Sequence, residues 1–245
     1  KRLKSIFPNY KERKVAAIVI EPARGKEPVL KDLIAIKDLA KGIGAVLIYD
    51  EITSGFRMCN GGIHRKFDVN PDMAVFAKSM ANGYAMSAIL GTDDTMDAAQ
   101  STFISSTNWT DRVGPSAAIA TINKYRDVEA DIHIIKLGNK VRDIWQKASN
   151  QSGLNISISG LPTLSSFSFD HPRNQELSTR LVSEMLQRGF LAFRQFKPSF
   201  AHSLADLELY EEKLVEVFML LSNIQNDKII INEKAHSGFH RLTKE

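Results

Sequence analysis

Two short apolar runs rich in β-branched residues, with an amphipathic stretch between them, constrain this chain more than any other feature. The first run is Val15-Ala16-Ala17-Ile18-Val19-Ile20, which stops at Glu21-Pro22. A helix is predicted over 30–41, where Leu30, Leu33, Ile34, Ile36 and Leu39 recur near helical spacing and Gly42 and Gly44 follow as stops. The second run is Ala45-Val46-Leu47-Ile48-Tyr49. Strand, helix and strand with short joints make a βαβ unit, which implies a parallel sheet with helices on its faces. A continuous apolar run, rather than an alternating one, reads as a strand buried on both faces.

Further along, loop-like sequence with Gly55, Gly61 and Gly62 covers 53–69. Short strands are predicted at 73–77 and at 86–90, and long helices over 111–125 and 130–149. From about residue 151 the texture changes. Short strands at 155–159, 163–169 and 190–193 alternate with helices at 174–188 and 204–221, the mixed pattern of a smaller α+β domain.

Composition narrows the function classes. Hydrophobic residues make up 43% and charged residues 24% of the 245, an ordinary balance for a soluble globular protein. The formal net charge is +4 and the basic residues are scattered, which reads as a solvated surface and not a nucleic-acid patch. No apolar run reaches the ~18 residues of a membrane helix, and there is no signal-peptide pattern. Cys59 is the single cysteine, so an internal disulfide is excluded and a reducing cytoplasm is the expected location. It reads as a small loop residue rather than a nucleophile. The six histidines show no metal-ligand spacing; His236 and His240 come nearest, without a third ligand, so no metal site is expected.

The chemistry-bearing residues lie at strand ends. The run at 45–49 ends in Asp50-Glu51. The stretch Met73-Ala74-Val75-Phe76-Ala77 ends at Lys78, ahead of the turn-rich Ala81-Asn82-Gly83-Tyr84. An acid and a lysine placed in this way suit pyridoxal phosphate chemistry. The lysine amine forms a Schiff base with the cofactor aldehyde, and the carboxylate pairs with the protonated pyridine nitrogen. A lysine partly desolvated at a strand end is suited to that chemistry. Other readings exist for each residue alone. The 45–51 segment would serve as a Walker B strand, but no Gly-x-x-x-x-Gly-Lys-Ser/Thr loop precedes it. Asp50 could be a helix cap or a surface acid, and Lys78 a snorkelling surface lysine.

The longer pattern resembles a known family. Leu47-Ile48-Tyr49-Asp50-Glu51-Ile52-Thr53-Ser54-Gly55-Phe56-Arg57 is similar to the Asp-Glu-Val-x-Thr-Gly-Phe-Arg signature of class III aminotransferases. Val69-Asn70-Pro71-Asp72, Phe76-Ala77-Lys78, Asn82-Gly83-Tyr84 and Ala88 resemble that family's block around its cofactor lysine. Glu21-Pro22, Thr107 within Ser105-Ser106-Thr107-Asn108-Trp109-Thr110-Asp111, and Ile119-Ala120-Thr121-Ile122 extend the likeness over about 15–225. It looks closest to the glutamate-1-semialdehyde aminomutase-like branch.

The resemblance implies a fold type I pyridoxal-phosphate-dependent transferase. Residues 1–128 would be the C-terminal half of the large cofactor-binding α/β domain, 129–228 a small α+β domain and 229–245 a polar tail. It implies that Lys78 carries the cofactor Schiff base and that Asp50 holds the pyridinium nitrogen. Thr107 would bond the cofactor phosphate across a dimer interface, in a homodimer with composite active sites. Arg24 stands where family transaminases often have Gln, and is a candidate contact for the cofactor or an anionic substrate group. Arg57 reads as a brace for its loop; Glu51 has no assigned chemistry.

The expected function is amino-group transfer, by an aminotransferase or an aminomutase, between a small-molecule amino donor and a carbonyl acceptor. One alternative is an aminotransferase for a sugar or polysaccharide precursor. Another is a truncated, catalytically silent chain that only associates with a partner subunit. The resemblance also implies that an N-terminal part is lacking, since such two-domain enzymes run to ~400 residues or more and the first ~180 have no counterpart here. The missing part would supply the phosphate-cradling turn and the residue stacked on the ring.

Overall fold

The computed structural model describes residues 15–23, 25–107 and 110–226. Two compact units divide the chain, Lys1–Ile132 and His133–Glu245. No helix among the described residues is long and apolar enough to cross a membrane.

The first unit is built on a four-stranded sheet in the order β1 (Ala17–Ile20), β2 (Val46–Asp50), β3 (Met73–Phe76), β4 (Ala88–Gly91). The first three strands are parallel, as the βαβ pattern predicts, and β4 joins antiparallel at the edge. Helix α1 (Leu30–Ile43) makes the crossover from β1 to β2. It runs through Gly42 and ends at Gly44, whose φ of 69° is the left-handed value that closes a helix. The Ala45 N–H then donates to Ala40 O at 2.9 Å, turning the chain directly into β2. A five-residue helix, α2 (Asp93–Asp97), follows β4, and α3 (Val113–Asp127) completes the unit.

Register sorts the strand residues onto two faces. Ile18 pairs with Leu47, Tyr49 with Ala74, and Phe76 with Ala88. This face is the covered one: α1 packs Leu33 and Ala40 against Ile18, Leu47 and Tyr49, and α3 packs Ala118 against Ala74 and Phe76. Each of the larger aliphatic and phenyl side chains among these, such as Leu33, Leu47 and Phe76, contributes about 1.5–3 kcal/mol. The opposite face carries Val19, Ile48, Asp50, Val75 and Ile89. Here the expectation of a β1 buried on both faces is corrected, because Val19 is 62% exposed while Ile18 is 7% exposed. Helices α1 and α3 both pack on that one side, so the apolar run of β1 has a single covered face.

Helix α4 (Ala130–Ser152) carries the chain into the second unit. There β5 (Ile156–Ser159), β6 (Ser165–Phe169) and β7 (Gln195–Phe196) form an antiparallel sheet in that order, with α5 (Asn174–Gln187) and α6 (Leu204–Asn226). Leu137, Val141, Ile144, Trp145 and Ala148 mark one stripe of α4 at helical spacing and join Phe167, Phe169, Leu181, Leu214 and Phe218 in a single core. Trp145 Nε1 donates to Tyr210 Oη at 2.9 Å, which satisfies both polar atoms inside that core. Burial pushes the Tyr210 phenol up to about 12. Gly138 allows a close backbone approach, since a Cβ there would sit 2.0 Å from Pro162 O.

One strand is displaced from its predicted place. Residues 190–193 are irregular, and pairing occurs instead at Gln195–Phe196, after Phe167 N–H has reached Arg194 O at 2.9 Å. Phe190 and Ala192 pack against the core without joining the ladder, so their apolar character reports packing rather than strand.

Candidate active site

The ends of β2 and β3 bring the candidate residues to one edge of the sheet. Asp50 is the last residue of β2 and lies opposite Val75 of β3, three positions before Lys78. The carboxyl ends of parallel strands are where α/β sheets bind ligands. Asp50 belongs to the uncovered face. Its Oδ1 accepts the Ile52 N–H at 3.0 Å, and its other carboxylate oxygen makes no hydrogen bond among the described residues.

After β3 the chain is extended at Ala77 and then reverses, with Lys78 in the left-handed region at φ 49°. For a residue with a Cβ this costs ~1–2 kcal/mol, and such strain gathers at functional sites. Asn82 at φ 48° and Gly83 at φ 101° complete the turn. The Lys78 side chain is exposed, contrary to the partly desolvated lysine expected at that strand end. Its Nζ donates to Thr53 Oγ1 at 2.8 Å.

Thr53 is held in place by a buried network. Side chains alternate across a strand, so the residue after Asp50 turns inward. Glu51 is fully buried. Its Oε1 meets His64 Nδ1 at 2.7 Å and accepts the His64 N–H at 3.2 Å, while Oε2 accepts from Ser54 Oγ at 2.5 Å. Burial pushes the Glu51 carboxyl up, but the hydrogen bonds from His64, Ser54 and the backbone outweigh it and leave it below its ordinary value. Burial and the neighbouring Glu51 charge push the Tyr49 phenol up to about 12. Arg57 Nε donates to Thr53 O at 2.8 Å and so braces the loop. Burial holds the Arg57 guanidinium below its ordinary pKa. Two glycines of this loop are needed for space. A Cβ on Gly55 would lie 2.7 Å from Glu51 O, and one on Gly62 would lie 2.4 Å from His64 Cε1.

Among the described residues, no hydrogen bond joins Thr107 to Asp50 or Lys78. Thr107 is exposed, in a loop that also carries Phe103 at 95% and Ile104 at 57% exposure. Arg24 lies outside the described residues. Cys59 Sγ contacts Gly62 O at 3.2 Å, and burial raises its thiol pKa, which suits a structural thiol. Thr53 and His64 were not singled out by sequence. Thr53 occupies the variable position of the signature, and His64 lies in a loop with no periodic signal.

This arrangement defines a class. The FumI protein of Sphingopyxis sp. MTA144, solved in its PLP internal aldimine form, superposes with a TM-score of 0.86 at 22% identity, over 92% of this chain and 56% of that one. The fold is therefore that of the fold type I, pyridoxal-phosphate-dependent transaminases, with the large domain present only in part. The chain belongs to the class III aminotransferase family, whose family model matches residues 1–224.

Similar curated proteins include the 3-aminobutyryl-CoA aminotransferase of Cloacimonas acidaminovorans, 31% identical over 89% of this chain and 56% of that protein. A glutamate-1-semialdehyde 2,1-aminomutase of Clostridium botulinum is 28% identical over 95% of this chain and 57% of that protein. The chain thus spans a little over half the length of the relatives it matches. Pyridoxal phosphate is the cofactor that the family and its structural neighbours indicate. The residues at the strand ends fit it: a carboxylate oxygen on Asp50, unengaged among the described residues, for a ring N–H, and an exposed primary amine on Lys78 for an aldehyde.

Proposed function

We propose that this chain is the lysine-bearing part of a pyridoxal-phosphate-dependent enzyme that transfers amino groups between small molecules. The observation that carries the reading is the placement of Asp50 and Lys78 at the ends of adjacent parallel strands. When bound, pyridoxal phosphate supplies an electron sink for charge developing at the amino-bearing carbon. Lys78 would hold the cofactor through its amine and, once released, would carry the proton to and from the amino-bearing carbon. Asp50 would accept the pyridine N–H and keep that nitrogen protonated, its carboxylate oriented by the Ile52 N–H on Oδ1.

A second copy of the chain belongs to this reading. The Thr107 hydroxyl would donate to the cofactor phosphate of the neighbouring copy. The exposure of Phe103 and Ile104 beside it supports an apolar contact there.

The test is spectroscopic. Adding pyridoxal phosphate to the chain is expected to produce the visible absorbance of a lysine-bound cofactor, absent in Lys78→Ala and shifted in Asp50→Ala. An unchanged spectrum in Lys78→Ala would overturn the assignment of the lysine.

A further inference from the structure

We propose that Thr53 is a positioning residue for the Lys78 amine: its hydroxyl is the partner that holds the amine each time the amine is released from the cofactor. This rests on the reading of Lys78 as the cofactor lysine. The contact is direct, Nζ to Oγ1 at 2.8 Å. A hydroxyl both donates and accepts, so it can hold the amine in either protonation state. The left-handed backbone of Lys78 restricts where its side chain can point, and Thr53 lies in that direction.

The turn that carries Thr53 is held at four points, one of them on Thr53 itself. Glu51 and Ser54, its near neighbours, are tied together through the Glu51 carboxylate. His64 anchors that carboxylate from 13 positions away. The Gly55 N–H returns to Glu51 O at 2.7 Å, and Arg57 Nε grips the Thr53 carbonyl. The buried Glu51–His64 pair thereby makes the turn rigid enough for one half-buried threonine to hold a flexible amine. Pre-orientation of this kind lowers the cost of bringing reacting groups together. The signature leaves this position variable, so the hydroxyl is a property of this chain and not of the motif.

The experiment compares the unsubstituted 245-residue chain with Thr53→Val and Thr53→Ser. Each is treated with pyridoxal phosphate followed by borohydride and, separately, with formaldehyde and cyanoborohydride. Labelling of Lys78 is timed by peptide mass spectrometry. Thr53→Val is expected to slow pyridoxal phosphate trapping at Lys78 about fivefold, the rate equivalent of one lost hydrogen bond. Formaldehyde labelling should not slow, because a small reagent needs no oriented amine, and Thr53→Ser should recover most of the trapping rate. Equal trapping in all three chains overturns the inference and leaves Lys78 as the cofactor lysine. A loss shared by both reagents makes Thr53 merely structural and also overturns it. Trapping that misses Lys78 in the unsubstituted chain overturns the reading of the lysine and this inference with it.

Discussion

Glu51 Oε1 meets His64 Nδ1 at 2.7 Å inside the first unit, one residue beyond the acid that faces the opposite side of the sheet. Consecutive carboxylates therefore have different roles. Asp50 is available at the strand end, and Glu51 is consumed in fixing the loop.

Removing one partner of that pair leaves the other buried without its hydrogen bond. His64→Ala is expected to destabilise the chain by about 2–3 kcal/mol, read from the urea midpoint. A change below about 0.5 kcal/mol would show that the pair contributes nothing.

The same pair predicts a pH dependence. The folded-state pKa of Glu51 lies below its ordinary value. Its contribution to stability is therefore present above the unfolded carboxylate pKa, about 4.3, and is lost as pH falls through the lower folded value. Urea midpoints measured from pH 7 downward should show an acid limb that is shallower in Glu51→Gln. Identical limbs in the two chains would exclude Glu51 as its source.

Two helical glycines should respond in opposite directions. Gly42 lies within α1 with nothing within 4 Å of an added Cβ, so Gly42→Ala is expected to stabilise by ~0.5–1 kcal/mol. In Gly138→Ala the Cβ would meet the Pro162 carbonyl backbone at 2.0 Å, and a loss of about 1–3 kcal/mol is expected. Thermal melts of both variants read the signs directly.

The single covered face of the sheet is also testable. Leu47→Ala removes a side chain that is 1% exposed and should cost ~2–5 kcal/mol. Val19→Thr, on the opposite face, should stay within about 0.5 kcal/mol of the starting chain. Comparable losses at both positions in chemical denaturation would mean that the Val19 face is covered after all.

Much of the fold was legible because hydrophobic periodicity is dictated by local geometry. The βαβ unit, the stripe of α4 and the helix at 174–188 all follow from spacing, with ends displaced by a few residues. What failed depended on packing partners. The apolar run of β1 promised two covered faces, but coverage is a tertiary property, and Val19 is left open. The strand expected at 190–193 was inferred from apolar residues that pack against the second core without pairing.

At the site, the positions of Asp50 and Lys78 were legible because each closes an apolar run. Glu51 was visible without a purpose, since its partner His64 lies in an aperiodic loop and only folding joins them. Thr53 carried no signal at all. Its importance depends on the backbone conformation of Lys78, which no residue pattern announces.

The central claim is that Lys78 is the amine that holds the cofactor. Borohydride treatment of the chain in the presence of pyridoxal phosphate, followed by peptide mapping, tests it most directly. A single phosphopyridoxyl group on Lys78, absent in Lys78→Ala, is the predicted result; labels spread over other lysines with Lys78 unmodified would contradict it.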